Sequence, residues 1–170
     1  MSKAFTREDD DRPEPPLIRP PAAELPPGAK NYLTPDGAQR FREELNQLVE
    51  TLRPKATNRT DSAESSEELQ RLDERIRQLR RILRSATVVK TQAGPADRVR
   101  FGATVQVRER SGEETLYRIV GIDEADPERG WVSWLSPVAK ALLNGRVGQR
   151  VSFHSPAGGD GLEILSVRYE

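Results

Sequence analysis

Two segments of the chain repeat apolar residues at alternating spacings of three and four positions. The first set is Ala38, Phe41, Leu45, Leu48 and Leu52, and the second is Leu69, Leu72, Ile76, Leu79 and Leu83. Such spacing places each set on one stripe of an α-helix, and two stripes can pack together as the seam of a coiled coil. The pattern predicts an antiparallel coiled-coil hairpin over residues 31–90, with helices at about 35–52 and 65–86 and a connecting crest at 53–64.

Residues that favour helix ends stand at the boundaries of these segments. Thr34 is a good N-cap, and Pro35 suits the first helical position because its φ is preset and it has no N–H to satisfy. Pro54 is expected to end the first helix, since proline clashes within a helix interior. Glu67 and Glu68 lie in the first turn of the second helix, where acids stabilise the positive end of the helix dipole. The crest end of the hairpin is therefore acidic.

Beyond residue 96 the apolar period shortens to two, which is typical of strands. Strands are predicted at about 101–107, 116–120, 131–135, 149–154 and 162–169. Ser136 and Pro137 repeat the cap-plus-proline signature for a short helix at 138–143. The predicted fold class is α+β, with an N-terminal antiparallel coiled-coil hairpin followed, over residues 97–170, by a small antiparallel β domain with one short helix.

Residues 1–30 contain seven of the 13 prolines together with an acidic run. Such a stretch cannot bury enough apolar surface to order itself, so we expect a disordered tail. The chain has no cysteine, which excludes a disulfide scaffold, a thiol nucleophile and a cysteine metal site. A single histidine, His154, ends a predicted strand and is interpreted as a structural or surface residue, so no catalytic site of the chain's own is predicted.

The charges balance at 27 basic and 27 acidic residues. Without a bulk basic charge, sequence-specific DNA binding is not expected, and any contact with nucleic acid must be local. The start of the chain lacks the apolar core of a signal peptide, and no stretch approaches the length of a membrane span. We therefore expect a cytoplasmic protein with no membrane partner, and a monomer.

Several segments, in order along the chain, resemble the Gre (GreA/GreB) transcript-cleavage and elongation factors of bacteria. They are Tyr-Leu-Thr-Pro at 32–35, Tyr-Arg-Ile-Val-Gly-Ile-Asp-Glu at 117–124, Ser-Pro-Val-Ala-Lys-Ala-Leu-Leu at 136–143 and Ser-Pro-Ala-Gly at 155–158. The resemblance spans about residues 31–170. It implies that the C-terminal domain is FKBP-like, and that the hairpin enters the secondary channel of bacterial RNA polymerase core while this domain docks at the channel mouth.

The resemblance also implies roles for particular residues. The docking segment would be Trp134, Leu135, Ser136 and Pro137. Three basic residues near the crest would contact the polymerase or the 3′ end of the nascent RNA, and these are Arg53, Lys55 and Arg59.

The family's crest carries an Asp-x-x-Glu pair, which Asp61 and Glu64 match in spacing. In the family this pair helps to hold a second magnesium ion in the polymerase active site, so that backtracked RNA is hydrolysed. Magnesium prefers hard oxygen ligands, and a second metal stabilises the charge that develops in an in-line displacement. The free protein would then carry no cofactor and assist catalysis only within the complex.

Two departures from the family keep other hypotheses open. The crest at 60–66 reads Thr-Asp-Ser-Ala-Glu-Ser-Ser, where the family has Gly-Asp-x-Ser-Glu-Asn-Ala. About one heptad is also absent from each helix relative to the family, which is roughly 10 Å of reach. The sequence is therefore compatible with a cleavage-promoting elongation regulator, with a channel-occupying inhibitor or initiation regulator without cleavage activity, and with a coiled-coil adaptor.

Overall fold

The computed structural model describes residues 25–58, 63–91, 93–152 and 161–170. The helices are α1 (Pro35–Gln47), α2 (Arg53–Thr57), α3 (Ala63–Ser85) and α4 (Pro137–Leu142). The strands are β1 (Asn31–Leu33), β2 (Ala86–Val88), β3 (Gly94–Ala96), β4 (Ala103–Arg108), β5 (Glu114–Val120), β6 (Trp131–Ser133), β7 (Arg150–Ser152) and β8 (Gly161–Tyr169). The predicted α+β class is confirmed.

Helix α1 begins where the sequence predicts. Thr34 is its N-cap and accepts a hydrogen bond from the Gly37 N–H at 3.0 Å, and Pro35 occupies the first position. The apolar faces of α1 and α3 meet in a buried cluster formed by Leu33, Ala38, Phe41, Leu48, Ile76, Leu79 and Ile82. We call α1, α2, α3 and the segment that joins the first two the helical unit.

The helical path does not end at Pro54, which corrects the predicted boundary. A π-helical segment, Leu48–Leu52, joins α1 to α2, and the Arg53 N–H bonds to the Leu48 carbonyl, five residues earlier. This wider turn accommodates the missing N–H and the bulk of Pro54 within a continuing helix. The register changes as a result. Leu52 is 38% exposed although its spacing predicts a seam position, whereas Ala56 is buried.

The larger sheet has the strand order β3-β8-β4-β5-β6, with β7 also paired to β8. Most of its pairs are antiparallel, as predicted, but β5 and β6 run parallel. The ten residues that connect them form two 3₁₀ turns, Ile122–Glu124 and Pro127–Arg129, which carry the chain back before the next strand begins. A separate parallel pair, β1 with β2, joins the two ends of the helical unit and was not predicted.

The sheet and α4 enclose a second apolar cluster, and we call residues 94–152 and 161–170 the sheet unit. The cluster is built from residues of β4, β5 and β8, two residues of α4 and one residue from the segment before β4. Its members are Val99, Ala103, Val105, Val107, Ile119, Ala139, Leu142, Leu162, Ile164 and Val167. Asn144 follows α4 with a φ of 67°, the left-handed conformation that often ends a helix. No described helix combines the length and hydropathy needed to cross a membrane.

Candidate functional site

Of the predicted carboxylate pair, the structure describes Glu64, which lies at the far end of the helical unit. Asp61 falls outside the described residues, as does Arg59. Glu64 is exposed in the first turn of α3, where a carboxylate is free to meet a partner and also stabilises the helix terminus. Within the described ranges, no group of three or more His, Cys, Asp or Glu residues could hold a metal ion.

Arg53 and Lys55 are both exposed on α2, near the same end. Arg53 Nε donates a 2.7 Å hydrogen bond to Asp73 Oδ1 of α3. This bond raises the pKa of Arg53 and lowers the pKa of Asp73. The Arg53 guanidinium is thus already paired across the two helices, while Lys55 is a further exposed cation on this part of the surface.

The predicted docking segment follows β6 without a break. Trp134 is half-buried, and its ring packs edge-on against Tyr32 with ring centroids 5.2 Å apart. The side chain of Ser136 accepts a hydrogen bond from the Ala139 N–H at 3.2 Å and so caps α4. Leu135 is half-buried and Pro137 is exposed. The segment therefore offers Pro137 and part of Leu135 to a partner, whereas Trp134 and Ser136 also stabilise the fold.

A buried carboxylate that sequence reasoning missed lies where the two units meet. Glu124 is only 1% exposed. Its Oε2 accepts hydrogen bonds from the Thr34 N–H at 2.9 Å and from the Gly121 N–H at 3.0 Å, and its Oε1 accepts one from the Thr34 hydroxyl. Arg40 lies 3.7 Å from Oε1 and supplies a positive charge. The one available signal was Gly37, a glycine within the first turn of a helix.

Three guanidinium groups surround Trp131 at the edge of the same junction. Those of Arg40, Arg118 and Arg129 lie 4.6, 5.1 and 5.3 Å from its ring, distances typical of cation–π contacts. Arg118 also donates a 2.8 Å hydrogen bond to Asp36 of α1. The start of α1 is therefore bound to β5 and β6 by charged and aromatic contacts as well as by Glu124.

The chain is similar in sequence to known proteins over most of its length. The family model described as "Transcription elongation factor, GreA/GreB, C-term" matches residues 94–169. A transcription elongation factor GreB of Neisseria meningitidis serogroup B is 40% identical over 154 residues, covering 82% of this chain and 94% of that protein. The GreB of Xanthomonas axonopodis pv. citri is 38% identical over 160 residues, covering 85% and 95%.

The solved structure of a GreA/GreB elongation factor from Nitrosomonas europaea is 25% identical, covers 82% of this chain and all of its own, and superposes with a TM-score of 0.40. The sequence matches define a transcription elongation factor. The chain belongs to the GreA/GreB family.

The alignments also show a difference in length. The Neisseria alignment spans 154 positions but includes 82% of this 170-residue chain, which is about 139 residues. The relative therefore has about 15 residues with no counterpart here, and the same calculation for Xanthomonas, with 85% of the chain in 160 positions, gives a similar number.

Proposed function

We propose that the protein regulates transcription elongation by binding RNA polymerase, with the sheet unit docking and the helical unit entering the secondary channel. The observation that carries this function is the 40% identity to an elongation factor over most of both chains. Because these relatives are named elongation factors, two alternatives are not favoured: a channel-occupying inhibitor or initiation regulator without cleavage activity, and a coiled-coil adaptor. The protein would act in the cytoplasm, as a monomer with no catalytic site or cofactor of its own.

The helical unit is proposed to be a coiled-coil arm. Its support is the apolar cluster between α1 and α3, together with polar contacts across the same pair. Arg75 of α3 binds Glu44 of α1, and Arg53 of α2 binds Asp73 of α3. The FKBP-like assignment of the sheet unit rests in the same way on the family resemblance and on the order of its strands and short helix.

The docking surface is proposed to include Leu135 and Pro137. Pro137→Glu tests this surface, because an acid is well tolerated in the first turn of α4 and leaves the Ser136 cap in place. We expect its affinity for core polymerase to fall about tenfold, as for a residue near the centre of an interface. Val147→Glu is the matched control, since Val147 is 46% exposed elsewhere on the sheet unit. If the two variants bind core polymerase with equal affinity, the docking site does not lie at the start of α4.

Asp61 and Glu64 are proposed to help hold the second magnesium ion of the polymerase, which would activate water for hydrolysis of backtracked RNA. The Asp-x-x-Glu spacing and the exposure of Glu64 support this role. The test compares RNA shortening by wild type with that by Asp61→Ala combined with Glu64→Ala. Glu67→Gln combined with Glu68→Gln is the charge control. Equal shortening by wild type and the alanine variant would exclude the ligand role.

The reach of the arm is a separate part of this proposal. If the 15 or so unmatched residues come equally from the two helices, each helix is shorter by about 11 Å. Metal ligation tolerates errors of only a few tenths of an ångström. Cleavage by this protein therefore requires a deeper seat in the channel than its longer relatives need. Binding without RNA shortening would instead identify a channel-occupying regulator.

The basic residues Arg53, Lys55 and Arg59 are proposed to contact the 3′ end of the nascent RNA or the channel wall. Lys55 provides the clearest test, because its substitution does not disturb the pair between Arg53 and Asp73. A photoreactive nucleotide at the RNA 3′ end should crosslink less to Lys55→Glu than to wild type. Lys90→Glu, another exposed lysine, is the control, and equal crosslinking by both variants would contradict the contact.

A further inference from the structure

The buried carboxylate of Glu124 joins the start of the helical unit to the sheet unit. We propose that Glu124 is a positioning residue that fixes the direction of the helical unit, and thereby the location of its far end when the sheet unit is docked. This inference rests on the proposed function for its consequence in transcription. The positioning itself is a property of the free protein.

The first support is the set of donors around the carboxylate. Thr34, 90 residues earlier in the chain, donates from both its N–H and its hydroxyl, while Gly121 donates from the loop after β5. Hydrogen bonds to an ionised acceptor are stronger and more directional than neutral ones. At 1% exposure, water cannot replace a lost donor, so any tilt that moves Thr34 away leaves a desolvated charge. The bonds therefore favour one orientation.

The second support is the close approach of the two backbones. A Cβ on Gly37 would lie 1.8 Å from Glu124 Oε1, and a Cβ on Gly121 would lie 2.1 Å from the Tyr32 carbonyl oxygen. Neither residue has a positive φ, so their conformations do not require glycine. Space alone requires it at both positions. The two glycines allow the helical unit and the sheet unit to approach closely, and the hydrogen bonds of Glu124 then stabilise this contact.

The third support is a ring of contacts outside the carboxylate. Arg40 lies over Trp131 and 3.7 Å from Glu124, and Arg118 links the same tryptophan to Asp36. Asp36 and Arg40 are four residues apart in α1, so their contacts lie on the same side of the helix. They oppose rotation of the helix about its own axis, while Glu124 opposes displacement of its N-terminus.

Small changes at this junction have large effects at the far end. Helix α3 has 23 residues, which is about 34 Å of helix. A tilt of roughly 6° at the junction would therefore move the far end by about 3.5 Å over that length. Such a displacement exceeds the tolerance of any metal-ligating role for the crest. An acidic residue in a sheet-unit loop thus controls an activity carried by the helical unit.

The absence of cysteine allows a direct test in the free protein. Spin labels at Gln70→Cys and Arg110→Cys, both exposed and on different units, report the direction of the helical unit. Labels at Gln70→Cys and Asn46→Cys, both within the helical unit, report its integrity. In the first pair, Glu124→Gln should raise the population of the minor distances roughly tenfold relative to wild type. The second pair should be unchanged.

Glu128→Gln is the matched control, because Glu128 is exposed in the same loop. If Glu124→Gln does not fold, Thr34→Val removes the hydroxyl, which both donates to Glu124 and caps α1, and Thr34→Ser restores both bonds. The label pair within the helical unit then reports whether loss of the cap alone disturbs the helices. An unchanged distance distribution between the units in whichever variant folds would overturn the proposal. So would a distribution that Glu128→Gln broadens equally.

A second readout separates this proposal from the proposed function. Glu124→Gln should bind core polymerase with nearly wild-type affinity but produce less effect on a backtracked complex at saturation. If the wild-type protein does not bind polymerase, the proposed function is contradicted, but the distance result still stands. Reduced affinity with full effect at saturation would contradict positioning.

Discussion

Arg75 of α3 donates two hydrogen bonds to the carboxylate of Glu44 on α1, from Nε at 2.6 Å and from Nη2 at 2.9 Å. Both side chains are about one-third exposed, so water only partly screens the pair. The planar guanidinium meets both carboxylate oxygens at once, a geometry that lysine cannot reproduce. This pair connects the two helices beside their apolar cluster.

We therefore expect Arg75→Lys to lower the free energy of unfolding by about 0.5–1 kcal/mol, measured by chemical denaturation at low salt. The control is Arg71→Lys, whose pair with Glu67 is about two-thirds exposed and should contribute almost nothing. Equal losses in the two variants would mean that the contact between the helices has no special weight.

Gly37→Ala should destabilise the protein even though alanine is normally the better helix former. The added Cβ would meet Glu124 Oε1, which is buried and cannot move without losing its donors. We expect a loss of about 1–3 kcal/mol, typical of overpacking, in the free energy of unfolding. Arg42→Ala, at an exposed position of the same helix, should have little effect. A Gly37→Ala protein as stable as wild type would show that the junction can open at no penalty.

Ser136→Ala should lower the free energy of unfolding by about 1 kcal/mol, because the Ala139 N–H loses its capping acceptor. Ser136→Thr keeps the oxygen and should recover most of the loss. At a low temperature, where all three proteins are fully folded, their affinities for polymerase should differ little. If Ser136→Ala instead abolished binding without a change in stability, Ser136 would be a contact residue rather than a cap.

Asp123 lies next to the buried glutamate, and its ionisation should make the stability of the protein depend on pH. Burial raises the pKa of its carboxyl above the ordinary 3.8, and a hydrogen bond from Asn31 opposes this only in part. A carboxyl whose pKa is raised on folding contributes stability that is present below pH 3.8 and is lost as the pH rises through its folded value. Asp123→Asn removes this dependence, so the Tm of the variant should rise relative to that of wild type as the pH rises from 3.8 through the folded value.

Asp73→Asn supplies the control with the opposite sign. The hydrogen bond from Arg53 lowers the pKa of Asp73, so its contribution is present at neutral pH and is lost as the pH falls through the lowered value. Wild type should therefore be more stable than Asp73→Asn at neutral pH and lose that advantage in acid. A Tm difference between wild type and Asp123→Asn that stays constant with pH would contradict the buried environment of Asp123.

The sequence predicted the parts of the fold that depend on local patterns. The heptad spacing located α1 and α3, and Thr34 with Pro35 and Ser136 with Pro137 located two helix starts correctly. The π-helical segment was missed because a proline normally ends a helix, and whether the chain widens instead depends on packing against a neighbouring helix.

The junction could not be predicted, since it depends on residues far apart in the chain. A glutamate in a loop is normally exposed, and burial of Glu124 depends on donors from Thr34, 90 residues away, as well as on the nearby Gly121 N–H. The parallel pairing of β5 and β6 likewise follows from the turns that connect them, not from the alternation within either strand. The crest carboxylates follow from the family resemblance, and their roles remain predictions.

The proposed role in transcription elongation is tested most directly with an elongation complex of RNA polymerase that is backtracked by a defined distance. The complex is incubated with increasing amounts of the wild-type protein, and the rate at which transcription resumes is measured. We predict a rate that rises with protein concentration and saturates with binding. Resumption at the unassisted rate, at concentrations where polymerase is fully bound, would contradict it.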